Sequence, residues 1–213
     1  NLNIIFNIAL DKYTGLNRQM MEQKNIIKEF WNNKADIMSY ALQFENDVIF
    51  LDSDIFILDK IDGIDNQKDV GLSPHYIKKN DTDKFGYYNG GCAWTKNKDV
   101  PLNWKKHTIK SRFVDQASLE DVARDYKNSM FEFPKNYNFS WWRVFQSDLS
   151  PQVIAGKVNI QNNSIYYENM PLKFVHTHFN HTDQASLQFN NLIINYLYRC
   201  KKYKELICLE RML

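Results

Sequence analysis

Two aspartates one residue apart, Asp52 and Asp54, close an apolar run in the segment N-D-V-I-F-L-D-S-D at residues 46–54. Carboxylate oxygens are the usual ligands of hard divalent cations such as Mg2+ and Mn2+, which leave part of their shell open to water or substrate phosphate. If the backbone stays extended through the pair, both side chains share one face, roughly 6–7 Å apart along the strand. The chain contains 17 Asp, so the pattern alone says little. A second one, Asp81-Thr82-Asp83, sits in the polar stretch K-K-N-D-T-D-K-F-G and reads as a solvated loop. The first pair differs in what precedes it. Val48-Ile49-Phe50-Leu51 has the composition of a strand buried on both faces in a parallel sheet, and ligands gather at the carboxyl ends of such strands.

A second reactive stretch is K-F-V-H-T-H-F-N-H at residues 173–181. His176 and His178 follow a strand-like Phe174-Val175 and, being two apart, share a face of that strand. Either imidazole can complete a cation site with Asp52 and Asp54, and Asn180 and His181 lie just beyond. In Y-Y-N-G-G-C-A-W, Gly90 and Gly91 read as a turn that lets backbone approach a ligand, with Asn89 offering both a donor and an acceptor. In F-V-D-Q-A-S-L, Asp115 and Gln116 stand at an expected helix start, where an N-cap role for Asp115 is the plainer account.

The elements that must carry these residues alternate between strand and helix patterns. An apolar opening run, L-N-I-I-F-N-I-A-L, reads as a first buried strand. Helices are expected over Leu16–Trp31 and Lys34–Phe44, and the D-S-D strand follows. Strands are expected at D-V-G-L-S-P and G-G-C-A-W-T, a helix within residues 111–128, and two short strands around Met170-Pro171. Phe189, Leu192, Ile193, Tyr196 and Leu197 form the stripe of an amphipathic helix packed on the core. With no linker, repeat or low-complexity tract, residues 1–213 read as one α/β domain, whose end at C-L-E-R-M-L leaves room for a longer polypeptide.

Composition sets outer bounds. A chain of 25.4 kDa with 44% hydrophobic residues and a net charge of +2 can bury a real core and carries no basic block that would suit a nucleic-acid groove. No signal-peptide pattern or apolar run of ~18 residues is present, so no membrane span is expected. Three widely spaced cysteines, Cys92, Cys200 and Cys208, point to a reducing, cytoplasmic setting. The N-x-S/T sequons at Asn138, Asn162 and Asn180 read as chance in an Asn-rich chain.

Taken in order, Asp52-Ser53-Asp54, Asn89-Gly90-Gly91, Asp115-Gln116 and His178-Phe179-Asn180 resemble the D-x-D, N-x-G, D-Q and H-F-x-G series of the GT-A fold nucleotide-sugar glycosyltransferases. The glycogenin-like retaining enzymes carry that series, and the chain also resembles the small glycosyltransferase domains encoded by chlorella viruses. This resemblance implies a Rossmann-like central sheet, mixed but mainly parallel, flanked by helices. It implies transfer from a UDP-sugar, such as UDP-glucose or a related hexose or deoxyhexose, with Mn2+ or Mg2+ as cofactor. The acceptor would be a glycan or glycoprotein, a viral capsid-protein glycan among them, in the cytoplasm of a host cell, and the anomeric configuration would be retained.

Residue by residue, the resemblance makes Asp54 the main metal ligand, with Asp52 touching both metal and ribose and His178 as the imidazole, His176 being the alternative. It assigns Asn7, Ala9 and Leu10 to the uracil-binding edge and Lys34 to the base or diphosphate. Ser53, Asn89, Gly90, Gly91 and His181 complete the donor site, and Asp115 and Gln116 take the catalytic positions beside the sugar. Two departures stand out: His181 occupies the place of the family's Gly, and no K-P-W follows it. V-I-F-L-D-S-D also resembles the first motif of haloacid-dehalogenase-type phosphatases, though no later acidic motif of that family is found. An inactive nucleotide-sugar or glycan-binding module is the non-enzymatic alternative.

Overall fold

A computed structural model of the chain describes residues 10–178 and 181–202. The expected first strand, with Asn7 and Ala9, lies outside the described residues, as do Phe179, Asn180 and Cys208. Leu10 is exposed and leads into a single 3-10 turn at Asp11–Tyr13.

Two helices follow, α1 (Arg18–Gln23) and α2 (Ile27–Ala41), in place of the expected Leu16–Trp31 and Lys34–Phe44. The boundary moves because Asn17 caps α1 through Met20 N–H at 2.9 Å, and Asn25, at φ 56°, breaks the helical path. Next come β1 (Val48–Leu51), β2 (Ile55–Ile57) and β3 (Val70–Pro74), then α3 (Lys79–Phe85). The second D-x-D pair, Asp81/Asp83, therefore sits on a helix rather than in a loop, with Asp83 held by Lys79 at 2.7 Å. β4 (Tyr88–Thr95), α4 (Asp99–Thr108), α5 (Leu119–Asp125) and β5 (Met130–Glu132) complete the first half. In the second half β6 (Phe139–Ser140), α6 (Trp141–Phe145) and α7 (Pro151–Gly156) lead to a meander of β7 (Val158–Gln161), β8 (Ser164–Tyr167) and β9 (Met170–Pro171). β10 (Phe174–His176) and the long α8 (Gln184–Arg199) end the described chain, and no described helix is long and apolar enough to cross a membrane.

The main sheet has the order β1-β4-β3-β5, and a second sheet has the order β2-β10-β6. The architecture is mixed α/β, but the sheets are not mainly parallel. Among the described residues only β3–β5 and β6–β10 pair in parallel, while the other five pairings are antiparallel. β1 itself runs antiparallel to β4, with Leu51 opposite Cys92. Its apolar run is continuous because both of its faces are packed. Val48 and Phe50 lie against the cluster that α2, α4 and α5 build over one side of the sheet, Ile49 and Leu51 against the aromatic cluster on the other. Two covered faces explain a run with no alternation; strand direction leaves no trace in it.

β4 is buried along its whole length, and Gly90-Gly91 lies inside it rather than in a turn. Ala93 belongs to the helix-side cluster, Cys92 and Trp94 to the aromatic one, as the two-residue period of a strand requires. The pairing of β3 with β4 jumps between Leu72–Ala93 and Ser73–Asn89, a bulge that leaves Gly90, Gly91 and Cys92 without partners on β3. A third cluster joins α8 to β6, β8 and β10. The expected stripe is seen there, with Phe189, Ile193, Tyr196 and Leu197 buried and Leu192 packed at the edge.

Phe174 connects this scaffold to the strand end that bears His176. It is fully buried, and the ring of Tyr137 meets it edge-on at 5.2 Å. Phe174→Ala is expected to lower unfolding stability by about 3–5 kcal/mol through lost burial and an unfilled cavity, measured by urea denaturation; a change under about 1 kcal/mol would contradict this packing.

Candidate metal and nucleotide-sugar site

The D-S-D segment is a tight turn between two sheets. Asp52 N–H bonds the Gly91 carbonyl at 2.9 Å as the last rung of β1 on β4, and Ile55 N–H returns to the Asp52 carbonyl at 3.1 Å. β2 then pairs antiparallel with β10, which puts Ile55 opposite His176, and both the amide and the hydroxyl of Thr177 bond the Asp54 carbonyl at 2.9 and 2.7 Å. This register carries His176 to the aspartates. Its Nε2 lies 3.0 Å from Asp54 Oδ1 and 3.9 Å from Asp52 Oδ2. One ligand atom from each of the three falls within 4.8 Å of the others. Ligands sharing one cation through bonds of about 2.1 Å sit roughly 3 Å apart when adjacent and about 4.2 Å when opposite, so the three fit a common divalent ion.

The orientation of the imidazole is set from a distance by hydrogen bonds whose directions can be deduced. The Gly86 carbonyl can only accept, so His75 Nδ1, 2.9 Å away, carries the proton. Burial pushes the His75 imidazolium down to about 4, so the ring is neutral at pH 7 and Nε2 is an acceptor. Asn89 Nδ2 donates to it at 3.2 Å, and Asn89 Oδ1 faces the Gly91 amide at 2.9 Å, which can only donate. Asn138 Nδ2 donates to the same Oδ1 at 2.9 Å and to Ser73 Oγ at 3.1 Å, which turns Asn138 Oδ1 toward His176 Nδ1 at 3.0 Å. His176 Nδ1 is therefore the protonated nitrogen. Nε2 is left to face the two carboxylates, and it offers them either a second proton, shared with Asp54 as a hydrogen bond, or, with that proton gone, a lone pair for a cation.

Asp54 responds to this surrounding. Burial alone would raise its carboxyl, but the hydrogen bond and charge of His176 outweigh burial and hold it below the ordinary carboxylate range. On the other side Lys34 reaches in from α2, with Nζ 3.1 Å from Asp52 Oδ1, 3.1 Å from the Gly90 carbonyl and 3.5 Å from Asp115 Oδ2. Desolvation opposes the Lys34 charge, but Asp115 and Asp52 overcome it and hold the ammonium above its usual value. Asp115 is not a helix cap. It lies ahead of α5, buried, after Val114 at a left-handed φ of 40°, and burial raises its carboxyl despite Lys34. Its Oδ2 makes no hydrogen bond among the described residues. Gln116 accepts from Asn89 Nδ2 at 3.3 Å and donates to the Phe85 carbonyl at 2.9 Å.

Gly91 is required by close approach. A Cβ there would lie 2.4 Å from Asp52 Oδ2 and 2.5 Å from His176 Cε1, inside contact distance of both ligands. At Gly90 a Cβ would meet Asp115 Oδ2 at 3.0 Å. The residues expected to let a ligand approach instead let the site's own side chains approach the strand.

His178, the first choice for the metal, is not the imidazole that meets Asp52 and Asp54. Two residues share a strand face only while the strand lasts, and β10 ends at His176. Beyond Thr177 the chain turns, and the His178 ring stacks on Trp141 at 5.1 Å and on His181 at 3.5 Å, with Nδ1 2.9 Å from Ser186 Oγ. Burial, then the neighbouring His181, push His178 down to about 4. His178, His181 and Asp183 form a separate potential ligand group, with Asp183 also capping α8 through Ser186 N–H at 3.0 Å.

Two cavities flank the aspartates. One, of about 350 Å³, is walled by Asp52, Asp54, Asn89, Gln116, His176 and His178, with Phe85, Phe113, Trp141 and Trp142 as apolar faces. The other, of about 330 Å³, lies between Lys34, Asp52 and Ser53 and the side chains of Leu10, Phe30, Trp31 and Phe50. Of the aromatics at the motifs, Trp94 and Tyr88 are core while Trp141 and Trp142 face the first cavity. No family model matches the chain, and no curated protein matches it.

Sequence reasoning missed His75 and Asn138. Asn138 was visible only as a sequon; its side chain is fully buried, which excludes glycosylation of the folded chain there. A left-handed φ of 51° suits Asn, but nothing local to N-F-S announces a partner 38 residues away.

The buried neutral His75 has a pH signature. Its folded value, about 4, lies below the unfolded 6.5, so its contribution is complete above pH 6.5 and is lost as pH falls from there toward 4. The full effect is roughly 3 kcal/mol. Urea denaturation is expected to show about 2 kcal/mol of this loss between pH 7 and pH 5, and His75→Gln should flatten it; equal slopes in the parent and the His75 variant would refute the assignment.

Proposed function

We propose that the chain is a metal-dependent glycosyltransferase that moves a sugar from a UDP-sugar to a glycan or glycoprotein acceptor. The observation that carries the reading is the meeting of Asp52, Asp54 and Nε2 of His176 at the junction of two cavities. Asp52, Asp54 and His176 would hold Mn2+ or Mg2+, with carboxylate oxygens and an imidazole suiting Mn2+ well. When bound, such an ion neutralises charge on a departing diphosphate.

The remaining roles belong to the chain's own side chains. Lys34, kept protonated beside Asp52, lines the smaller cavity and supplies a second positive charge for the diphosphate. Phe30, Trp31 and Phe50 in the same cavity offer faces for a uracil ring, and Ser53 a hydroxyl for ribose. In the larger cavity Asn89 and Gln116 present amides to sugar hydroxyls, and Trp141 and Trp142, their rings inclined at 74°, give two apolar sides for sugar or acceptor. Asp115 acts through Lys34, which it holds in place, rather than from the wall of that cavity. The carboxylates on the wall among the described residues are Asp52 and Asp54, both engaged as ligands. Retention of configuration belongs to the proposal through the resemblance of the motif series to the retaining enzymes.

The order of the first three sequence motifs supports the same reading, while in the fourth the ligand role passes from His178 to His176. With Mn2+ present, UDP is expected to raise the melting temperature, and GDP and CMP to do so less, because a ligand that binds only the folded state stabilises it by mass action. Asp54→Asn should abolish the Mn2+-dependent shift with the fold intact. His176→Ala and Asn138→Ala should weaken Mn2+ binding about 10–100-fold, while His178→Ala, Asp81→Asn and Asp83→Asn leave it unchanged. Loss confined to His178→Ala would return the ligand role to that residue, and unaltered binding in Asp54→Asn would sink the metal reading. Release of UDP from UDP-sugar separates an active enzyme from a binding module.

A further inference from the structure

A third cavity, of about 330 Å³, lies behind the larger one, at the low end of the range for small-ligand sites. The two share Ile77, and neighbouring residues divide between them: Trp142 and Gln146 face the first, Arg143 and Ser147 the other. Arg143 is 2% exposed. Its Nη1 donates to the Lys135 carbonyl and its Nη2 to the Pro74 carbonyl at 3.2 Å, while Nε–H has no acceptor among the described residues. Two of five N–H groups are thus accounted for. No carboxylate pairs with the guanidinium among the described residues; its nearest compensation is the face of Tyr76, 4.6 Å from Cζ.

A buried charge without a counter-charge is costly, and pinning two carbonyls requires donors, not a charge. Burial lowers the Arg143 guanidinium to about 10, which still leaves it charged at pH 7. Lys135 and Lys157 also line the cavity, against one carboxylate on the wall, Asp148. Glu168 links the two lysines, at 3.4 and 2.5 Å. Ile77, Leu149 and Ile154 form the aliphatic part of the wall, and Tyr76, Tyr87 and Tyr167 its aromatic part. Rings of this kind stack on sugar faces, and a guanidinium recognises the planar oxygens of a carboxylate or phosphate.

We propose that this cavity binds an anionic sugar, a single ring carrying a carboxylate or a phosphate, with Arg143 as its counter-charge. The site needs neither a metal nor a nucleotide and does not depend on the transferase reading. Isothermal titration at low salt, without metal or UDP, is the test, with glucuronate and glucose 6-phosphate as probes and glucose and inorganic phosphate as controls. Saturable binding of either acidic sugar, tighter than inorganic phosphate and absent for glucose, is expected, and the better of the two identifies the charged group. Arg143→Gln should abolish it. Because that change could also unfold the chain, Lys157→Gln and Tyr87→Ala at the rim provide the second measure. Each should weaken binding roughly fivefold, about 1 kcal/mol, while the urea-unfolding midpoint stays close to the parent's. Absence of saturable binding by both acidic sugars, binding of glucose at equal strength, or rim variants that bind like the parent would overturn the proposal and leave the metal reading untouched.

Discussion

An imidazole nitrogen facing two carboxylates is the constraint around which the rest of the site is arranged. His176 Nε2 lies 3.0 Å from Asp54 and 3.9 Å from Asp52, and negative oxygens and a basic nitrogen repel one another at such range unless something positive lies among them. What decides which nitrogen faces them is a line of side chains ending on two backbone groups of fixed polarity, the Gly86 carbonyl and the Gly91 amide. Each amide along the line, Asn89 and Asn138, has both of its ends committed, so reversing one would oppose donor to donor at the next. The orientation of one ring thus depends on residues in three strands and the loops beside them.

That arrangement costs packing, and the fold accommodates it locally. β4 uses two adjacent glycines where a buried central strand ordinarily uses branched side chains, because Asp52 and His176 fill the space above Gly91 and Asp115 the space at Gly90. The β3–β4 ladder opens at the same place, and Asn138 bridges Ser73 and Asn89 across the opening. The lost strand pairing is offset by side-chain hydrogen bonds, each confined to one geometry, while regular packing on both sides holds the frame. Lys34 plays the matching part on the opposite flank, since without its ammonium Asp52 and the buried Asp115 would face each other uncompensated.

Parts of this were legible in the amino-acid order. Phe189, Ile193, Tyr196 and Leu197 announced α8 because a helix in contact with a core leaves a 3.6-residue trace, and Val48–Leu51 announced a strand because both its faces are covered. Asp52 and Asp54 could be singled out from the other D-x-D by their apolar lead-in, and the association of Asn89, Gly90 and Gln116 with the same site was likewise in reach. The parallel sheet, the Gly-Gly turn and the choice of His178 were not. Each depended on direction or on where a strand stops, and a period of two says nothing of either.

The chain by itself determined which chemistry was available, namely two carboxylates at the end of an apolar strand, imidazoles after a later one, and a lysine on the helix before them. Only the tertiary structure decided which imidazole meets the carboxylates, which nitrogen it presents, and that Asn138 orients it. The reason is that composition and periodicity are local quantities. A hydrogen bond between residues 38 positions apart is set by strand register and by the fixed polarity of two backbone groups, neither of which leaves a mark on neighbouring letters.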